Sequence, residues 1–144
     1  MRVNGEWALC DDGVARPILI GEVRTGNGSW LKVPFLVDTG ADRTVFTSGV
    51  LEKLDLETII GRDGVSGLGG LALSVIVETQ IRLSHESAGK VLFRGQYAAV
   101  TDLEALDICV LGRDITGLFG LIVDQPQGVV CMLGQRHRYR IEQD

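Results

Sequence analysis

The residues best suited to chemistry lie where an apolar strand stops at a carboxylate. Phe35-Leu36-Val37 runs directly into Asp38-Thr39-Gly40-Ala41-Asp42. Burying an unpaired carboxylate is costly, so such a group is neutralised, paired, or kept for a reaction. Thr39 adds a hydroxyl, and Gly40, lacking a Cβ, lets a second backbone come close. The same residues also fit a plain strand closed by an Asp-Gly type of turn. Taken alone, they are compatible with both readings.

Two later segments bear on the choice. Gly64-Val65-Ser66-Gly67-Leu68-Gly69-Gly70-Leu71 opens onto a long alternating stretch. Glycines at a hairpin tip permit positive φ and close contact with a bound backbone, which suits a mobile lid, although a plain surface loop can share that composition. A nucleophile elbow is excluded because Ser66 is followed by Gly67 and then Leu68. A dinucleotide fingerprint fails as well: counted from Gly26 its last glycine falls on Leu31, and counted from Gly67 it falls on Ala72. The other segment is Val110-Leu111-Gly112-Arg113-Asp114. An arginine just past a buried strand seeks a carboxylate, and Asp42, directly after the tight turn, is its natural partner. A solvated Arg113 would contribute almost nothing to stability.

The elements that must position these residues read as β structure. Pro17–Val23 and Trp30–Val37 flank Thr25-Gly26-Asn27-Gly28-Ser29, the pattern of a hairpin with a turn longer than two residues. Pro34 cannot donate to a ladder and is expected at an edge or bulge. Thr44-Val45-Phe46 reads as a short strand, with Thr47 or Ser48 capping a helical turn through Leu54. From Leu71, apolar residues alternate through Leu73, Val75, Val77, Thr79, Ile81 and Leu83, the period of a half-buried strand. A turn at His85–Lys90 precedes more β structure at Val91–Phe93 and Gln96–Val100. Leu106–Leu111 reads as a second buried strand, with a short helix expected from Asp114 or Thr116. Leu121–Val123 and Val129–Leu133 form a final hairpin around Asp124–Gly128. The sum is one all-β domain, a closed or sandwiched sheet with one or two short helices.

Composition narrows the function. A chain of 144 residues can bury one core without staples. The net charge is −5, and no basic block adjoins an aromatic cluster, so nucleic acid is not the expected partner. The basic run Arg136–Arg140 reads as a solvated terminal strand or tail. No apolar run has membrane-spanning length, and Met1–Glu6 lacks the apolar core of a signal peptide. Cys10, Cys109 and Cys131 are odd in number and far apart, which points to a reducing, cytoplasmic setting. His85 and His137 are isolated, and no pair has zinc-ligand spacing, so neither metal nor cofactor is expected.

Taken in order, the three motifs resemble the retropepsin family, the retroviral-type aspartic proteases. Leu36 to Asp42 matches its apolar-apolar-Asp-Thr-Gly-Ala-Asp signature. Gly67-Leu68-Gly69-Gly70-Leu71 matches its flap tip, and Val110 to Asp114 its second signature. The resemblance runs from about Ile18 to Leu133 and implies a single-lobed domain over 1–144, with extensions at both ends of a core near 18–133. It further implies a homodimeric endopeptidase acting on extended peptide or protein segments. Asp38, with Thr39 and Gly40, would be catalytic, meeting its symmetry mate around one shared proton. Gly40, Asp42, Gly67, Leu68 and Gly69 would hold the substrate, while Asp42 and Arg113 would brace the site. Ala41 follows the retroviral pattern; pepsin-like enzymes usually carry a hydroxyl residue there. Retroviral dimers interleave their termini in one sheet. Here the segment before Asp38 is longer, and Gly134–Asp144 runs past the family's usual end, so the interface is open to a different arrangement. A catalytically silent dimerisation or peptide-binding module on the same fold is the alternative.

Overall fold

The computed structural model describes residues 1–60, 65–67, 70–134 and 142. In chain order its elements are β1 (Arg2–Asn4), β2 (Glu6–Leu9), β3 (Ala15–Arg24), β4 (Trp30–Val37), β5 (Val45–Phe46), α1 (Ser48–Leu54) and β6 (Thr58–Ile60). There follow β7 (Val65–Gly67), β8 (Gly70–Ala72), β9 (Ser74–Ser84), β10 (Lys90–Val100), β11 (Cys109–Leu111), α2 (Arg113–Thr116), β12 (Gly120–Asp124) and β13 (Val129–Leu133). Among the described residues the fold is all-β, with two short helices, as the alternation and turn residues predict.

The principal sheet runs β2-β3-β4-β11-β5-β10-β9-β6, and a further pairing of β3 with β9 closes it into a barrel. That closure sets Gly21, Glu22 and Val23 opposite Leu83, Arg82 and Ile81. Gly21 must lack a side chain here, because a Cβ would lie 2.9 Å from the Phe35 ring. Inside the barrel, Leu19, Val23, Val33, Phe35, Phe46, Val77, Ile81, Leu83 and Leu111 are buried. Each such side chain contributes roughly 1.5–3 kcal/mol by leaving water. Phe46 links the aromatic cluster, tilted against Phe35 at 6.1 Å and edge-on to Tyr97 at 5.8 Å.

Local expectations meet the structure in different ways. The hairpin around 25–29 forms as read. The β11 register begins opposite Phe35, so Pro34 sits where β4 has β3 as its one partner. Thr47 caps α1, its side chain accepting from the Val50 N–H, and Asp55 ends the helix with φ 48°. Val77, Thr79, Ile81 and Leu83 face inward as the alternation requires. Leu73 does not: it lies between β8 and β9 and is 78% exposed. The strand read over Leu106–Leu111 is confined to Cys109–Leu111. Helix α2 begins at Arg113, one residue earlier than expected, and no side chain caps it.

Two N-terminal strands carry no clear sequence signal. β2 pairs with β3, while β1 pairs with β13 of the same chain to give a second sheet, β1-β13-β12. Gly5 joins them; its N–H donates to the Val130 carbonyl at 2.7 Å, and a Cβ there would strike the Ile18 oxygen. β7 and β8 form a small hairpin with Gly67 opposite Gly70. Leu68, Gly69, the glycine-rich segment's first residue Gly64, and the basic run Arg136–Arg140 lie outside the described residues.

Candidate active site

Two parallel strands deliver the site. β4 and β11 run side by side, with Val37 opposite Leu111, so Asp38 and Gly112 leave the barrel together. The Asp38 N–H donates to the Leu111 carbonyl at 3.2 Å. The chain then turns sharply: Ala41 N–H reaches the Asp38 carbonyl at 3.3 Å, and Gly40 N–H donates to Asp38 Oδ1 at 2.9 Å. That last bond fixes the carboxylate's direction. Asp38 is half-buried, while Thr39 and Gly40 are exposed.

The second loop is stitched to the first. Arg113 N–H donates to the Ala41 carbonyl at 2.9 Å and Asp114 N–H to the Asp42 carbonyl at 3.2 Å. The Arg113 guanidinium donates through Nη1 to the Thr39 carbonyl at 2.7 Å and through Nη2 to Asp42 Oδ1. Both partners of this ion pair are well exposed, so its worth lies in geometry: exposed pairs contribute about 0–1 kcal/mol. Arg113 thus clasps the outside of the Asp38 turn from two sides.

Beneath the turn lies a network that sequence reasoning did not assign. Thr44 is fully buried. Its N–H donates to both oxygens of Asp114 at 3.0 Å, and its Oγ1 donates to Asp114 Oδ1 at 2.7 Å. The same Oγ1 accepts from Gly112 N–H at 3.2 Å, and Ile115 N–H also reaches Asp114 Oδ1. Gly112 must be glycine, since a Cβ would lie 2.3–2.8 Å from the backbone of Arg43. Asp114 therefore anchors one loop to the other where a helix start was read. The available signal was a hydroxyl residue two positions past Asp42, matched by an acid directly after Arg113.

The remaining site residues are placed as follows. Gly67 ends β7, whereas Leu68 and Gly69 are not described. β8 connects to β9 of the barrel through Leu73, whose carbonyl accepts from Thr101 N–H at 3.3 Å. Cys109, just before the second loop, is buried, and that burial pushes its thiol pKa up. Among the described residues no group of His, Cys, Asp or Glu is arranged to hold a metal ion.

A barrel whose paired strands present Asp-Thr-Gly opposite Gly-Arg-Asp defines an aspartic-protease-like site. The family profile described as Aspartyl protease matches residues 21–121, and the chain belongs to that family, on its retropepsin-like side. Comparison with curated protein sequences yields no match. Among solved structures, the chain is similar to the protease of EIAV complexed with the inhibitor HBY-793, at 23% identity and TM-score 0.52. That match covers 71% of this chain and 86% of the other. It is also similar to a retropepsin-like aspartic protease from Rickettsia conorii, at 20% identity and TM-score 0.55, covering 92% of this chain and 88% of the other. These likenesses are of fold.

Proposed function

We propose that this protein is an aspartic endopeptidase whose catalytic pair is completed by a second copy of itself. The observation that carries this reading is the Asp38 turn: its carboxylate is aimed by Gly40 N–H, its outer backbone is clasped by Arg113, and the Thr44–Asp114 network lies beneath it. One such carboxylate cannot act as both acid and base. Two Asp38 groups a few ångströms apart would share one proton, because both cannot ionise comfortably. The ionised member takes a proton from water, whose oxygen attacks the scissile carbonyl carbon. The protonated member donates to the carbonyl oxygen, and a proton then passes to the leaving amine as the C–N bond breaks. The apparent pKa values belong to the pair.

Within this scheme Thr39 braces the two turns against each other. Its hydroxyl has no partner among the described residues. Gly40 and Asp42 meet the substrate backbone, and Gly67, Leu68 and Gly69 close over an extended peptide. Ala41 supplies no hydroxyl to the carboxylate. Three free cysteines fit a reducing, cytoplasmic setting, and no helix among the described residues is long and apolar enough to cross a membrane. The test is cleavage of a peptide mixture by purified protein, with Asp38→Asn as the control. Activity retained in Asp38→Asn would refute the mechanism. A wild-type dimer that binds peptides and never cuts them would leave the silent binding module.

A further inference from the structure

The outer face of the barrel gathers a basic patch that no single stretch of sequence contains. Leu19, Val23, Val33, Ile81 and Leu83 point inward, so the residues that alternate with them point out. Lys32 stands opposite Glu22, Glu22 opposite Arg82, and Arg82 opposite Leu92, a row across β4, β3, β9 and β10. Beside that row, Arg24 lies opposite Trp30, and Arg94 opposite Gln80. Lys90, which opens β10, reaches back to Glu22. Closure of β3 on β9 is what sets cations from four strands side by side.

This face concentrates charge against the trend of the chain. Arg24, Lys32, Arg82, Lys90 and Arg94 share it, although the net charge of the protein is −5. Glu22, in their midst, is already engaged: Arg82 Nε and Nη2 donate to it at 2.8 and 3.0 Å, and Lys90 donates as well. Glu78, opposite Gln96, lies at the border. Among the described residues Arg24, Lys32 and Arg94 form no ion pair, and all three are exposed. Like charges held together repel one another, so the arrangement favours a counter-charge from outside.

The patch is ordered and partly apolar. The Arg82 guanidinium sits 3.9 Å from the Trp30 ring centre and that of Arg24 5.2 Å from it. Stacking restrains a guanidinium while leaving N–H groups at its edge for a carboxylate. Leu92 and Ile20 are 43% and 38% exposed between the cations, and Pro34 is exposed opposite Ile20.

We infer that this face is a substrate-capture site outside the catalytic cleft, taking an acidic segment that also carries apolar side chains. The inference rests on the protease reading above, because it makes the captured segment part of a protein substrate. Lys32 precedes Asp38 by roughly 20 Å of extended strand, at about 3.3 Å per residue. Capture at that distance raises the local concentration of the substrate without touching the scissile bond, so it lowers KM and leaves kcat alone. A polypeptide fits better than a nucleic acid. The Trp30 ring already carries Arg82, with Arg24 beside it, and offers no open platform for a base. A long polyanion would also meet the acidic excess of the surrounding surface, which a short acidic segment avoids.

The first test is binding, in the full-length protein carrying Asp38→Asn so that cleavage plays no part. The probe is a fluorescent peptide in which paired glutamates alternate with paired leucines. It should bind, weaken with added salt, and lose about tenfold or more in affinity on Arg24→Glu with Lys32→Glu, or on Arg94→Glu. Arg24→Lys with Lys32→Arg, which keeps the charge, should bind as the parent does, and a lysine–leucine peptide should not bind. No binding of the acidic peptide, or equal binding by charge-reversed variants with unchanged unfolding midpoints, would overturn the inference. Preferential binding of a single-stranded oligonucleotide would overturn it in favour of a nucleic-acid surface.

The second test is kinetic. A peptide cut by the active protein, when extended by the acidic segment, should show a lower KM at the same kcat, and Arg94→Glu should remove that advantage. Equal KM with and without the segment overturns capture and leaves the protease reading standing. Binding of the acidic peptide by a protein that cuts nothing removes the protease reading and assigns the face to the silent binding module.

Discussion

Asp114→Ala gives a direct measure of how the site is held. The carboxylate receives the Thr44 N–H, the Thr44 hydroxyl and the Ile115 N–H. Ile115 N–H keeps a second acceptor, the Gly112 carbonyl at 3.2 Å, so it is not orphaned. Thr44 N–H has no such alternative among the bonds described, and the buried hydroxyl loses the acceptor for its own proton. Hydrogen bonds to charged groups are worth about 1.5–3 kcal/mol each, and a buried donor left bare costs about 1–3 kcal/mol. Asp114 itself reaches solvent, so water can refill part of the vacated space. The expected loss is about 2–3 kcal/mol, large against a total stability on the order of 5–15 kcal/mol. Urea unfolding followed by Trp fluorescence reads it as a lower midpoint at unchanged slope. Asp114→Asn, which keeps one acceptor oxygen for Thr44, should lose about 1 kcal/mol or less. A second readout is Tyr97, whose pKa is pushed up to about 12 by burial and, secondarily, by the Asp114 charge. Alkaline titration of Asp114→Ala should bring that phenol part of the way back toward 10, with the burial contribution remaining. If Asp114→Ala unfolds at the wild-type midpoint and Tyr97 titrates unchanged, the anchoring role is wrong.

Other outcomes follow from the same geometry. Gly112→Ala forces a methyl into the Arg43 backbone and should cost about 1–3 kcal/mol, with cleavage falling further than stability because the Asp38 turn is displaced; denaturation and peptide turnover measured side by side check this. The Glu22 carboxyl is held at about 2 by the hydrogen bonds of Arg82 and Lys90, below its ordinary 4.5. Its folded value lies below its unfolded one, so its contribution is present above about pH 4.5 and lost as pH falls toward 2. Glu22→Gln should flatten stability against pH across that window and leave it unchanged in shape near neutrality. Tyr97 acts at the other end: its raised value means stability is retained below about pH 10 and lost as pH climbs to 12, a loss that Tyr97→Phe should abolish in alkaline unfolding. Arg113→Lys, which cannot fork between the Thr39 carbonyl and Asp42, should leave the unfolding midpoint within about 0.5 kcal/mol while lowering turnover.

Much of this was legible because it is local. The alternation of Val77, Thr79, Ile81 and Leu83 marks a strand face within one window, and the Gly/Asn cluster at 25–29 marks its hairpin by turn chemistry alone. The pairing of Arg113 with Asp42 could be anticipated from the preference of a guanidinium for a carboxylate near a tight turn. What escaped is either too short or too distant. β1 and β2 are three and four residues long, and Arg-Val-Asn offers no alternation to count. Leu73 continues the apolar pattern on paper, yet the strand breaks there and the side chain faces solvent. Thr44 and Asp114 are 70 positions apart, and neither one's type alone reveals the other as its partner. Glu22 and Arg82 meet for the same reason, across a closure that no local period encodes.

That closure governs the order in which the molecule can be made. β3 needs β9 on one flank, and β4 needs β11 on its own, so strands synthesised early depend on strands synthesised well after them. A nascent chain ending before Leu111 holds β3 and β4 as a hairpin with unsatisfied backbone along its outer side, and such species pair readily with one another. Productive folding therefore begins only after the Gly112-Arg113-Asp114 segment has left the ribosome, and fragments cut short of it will be recovered as aggregates rather than as half-barrels.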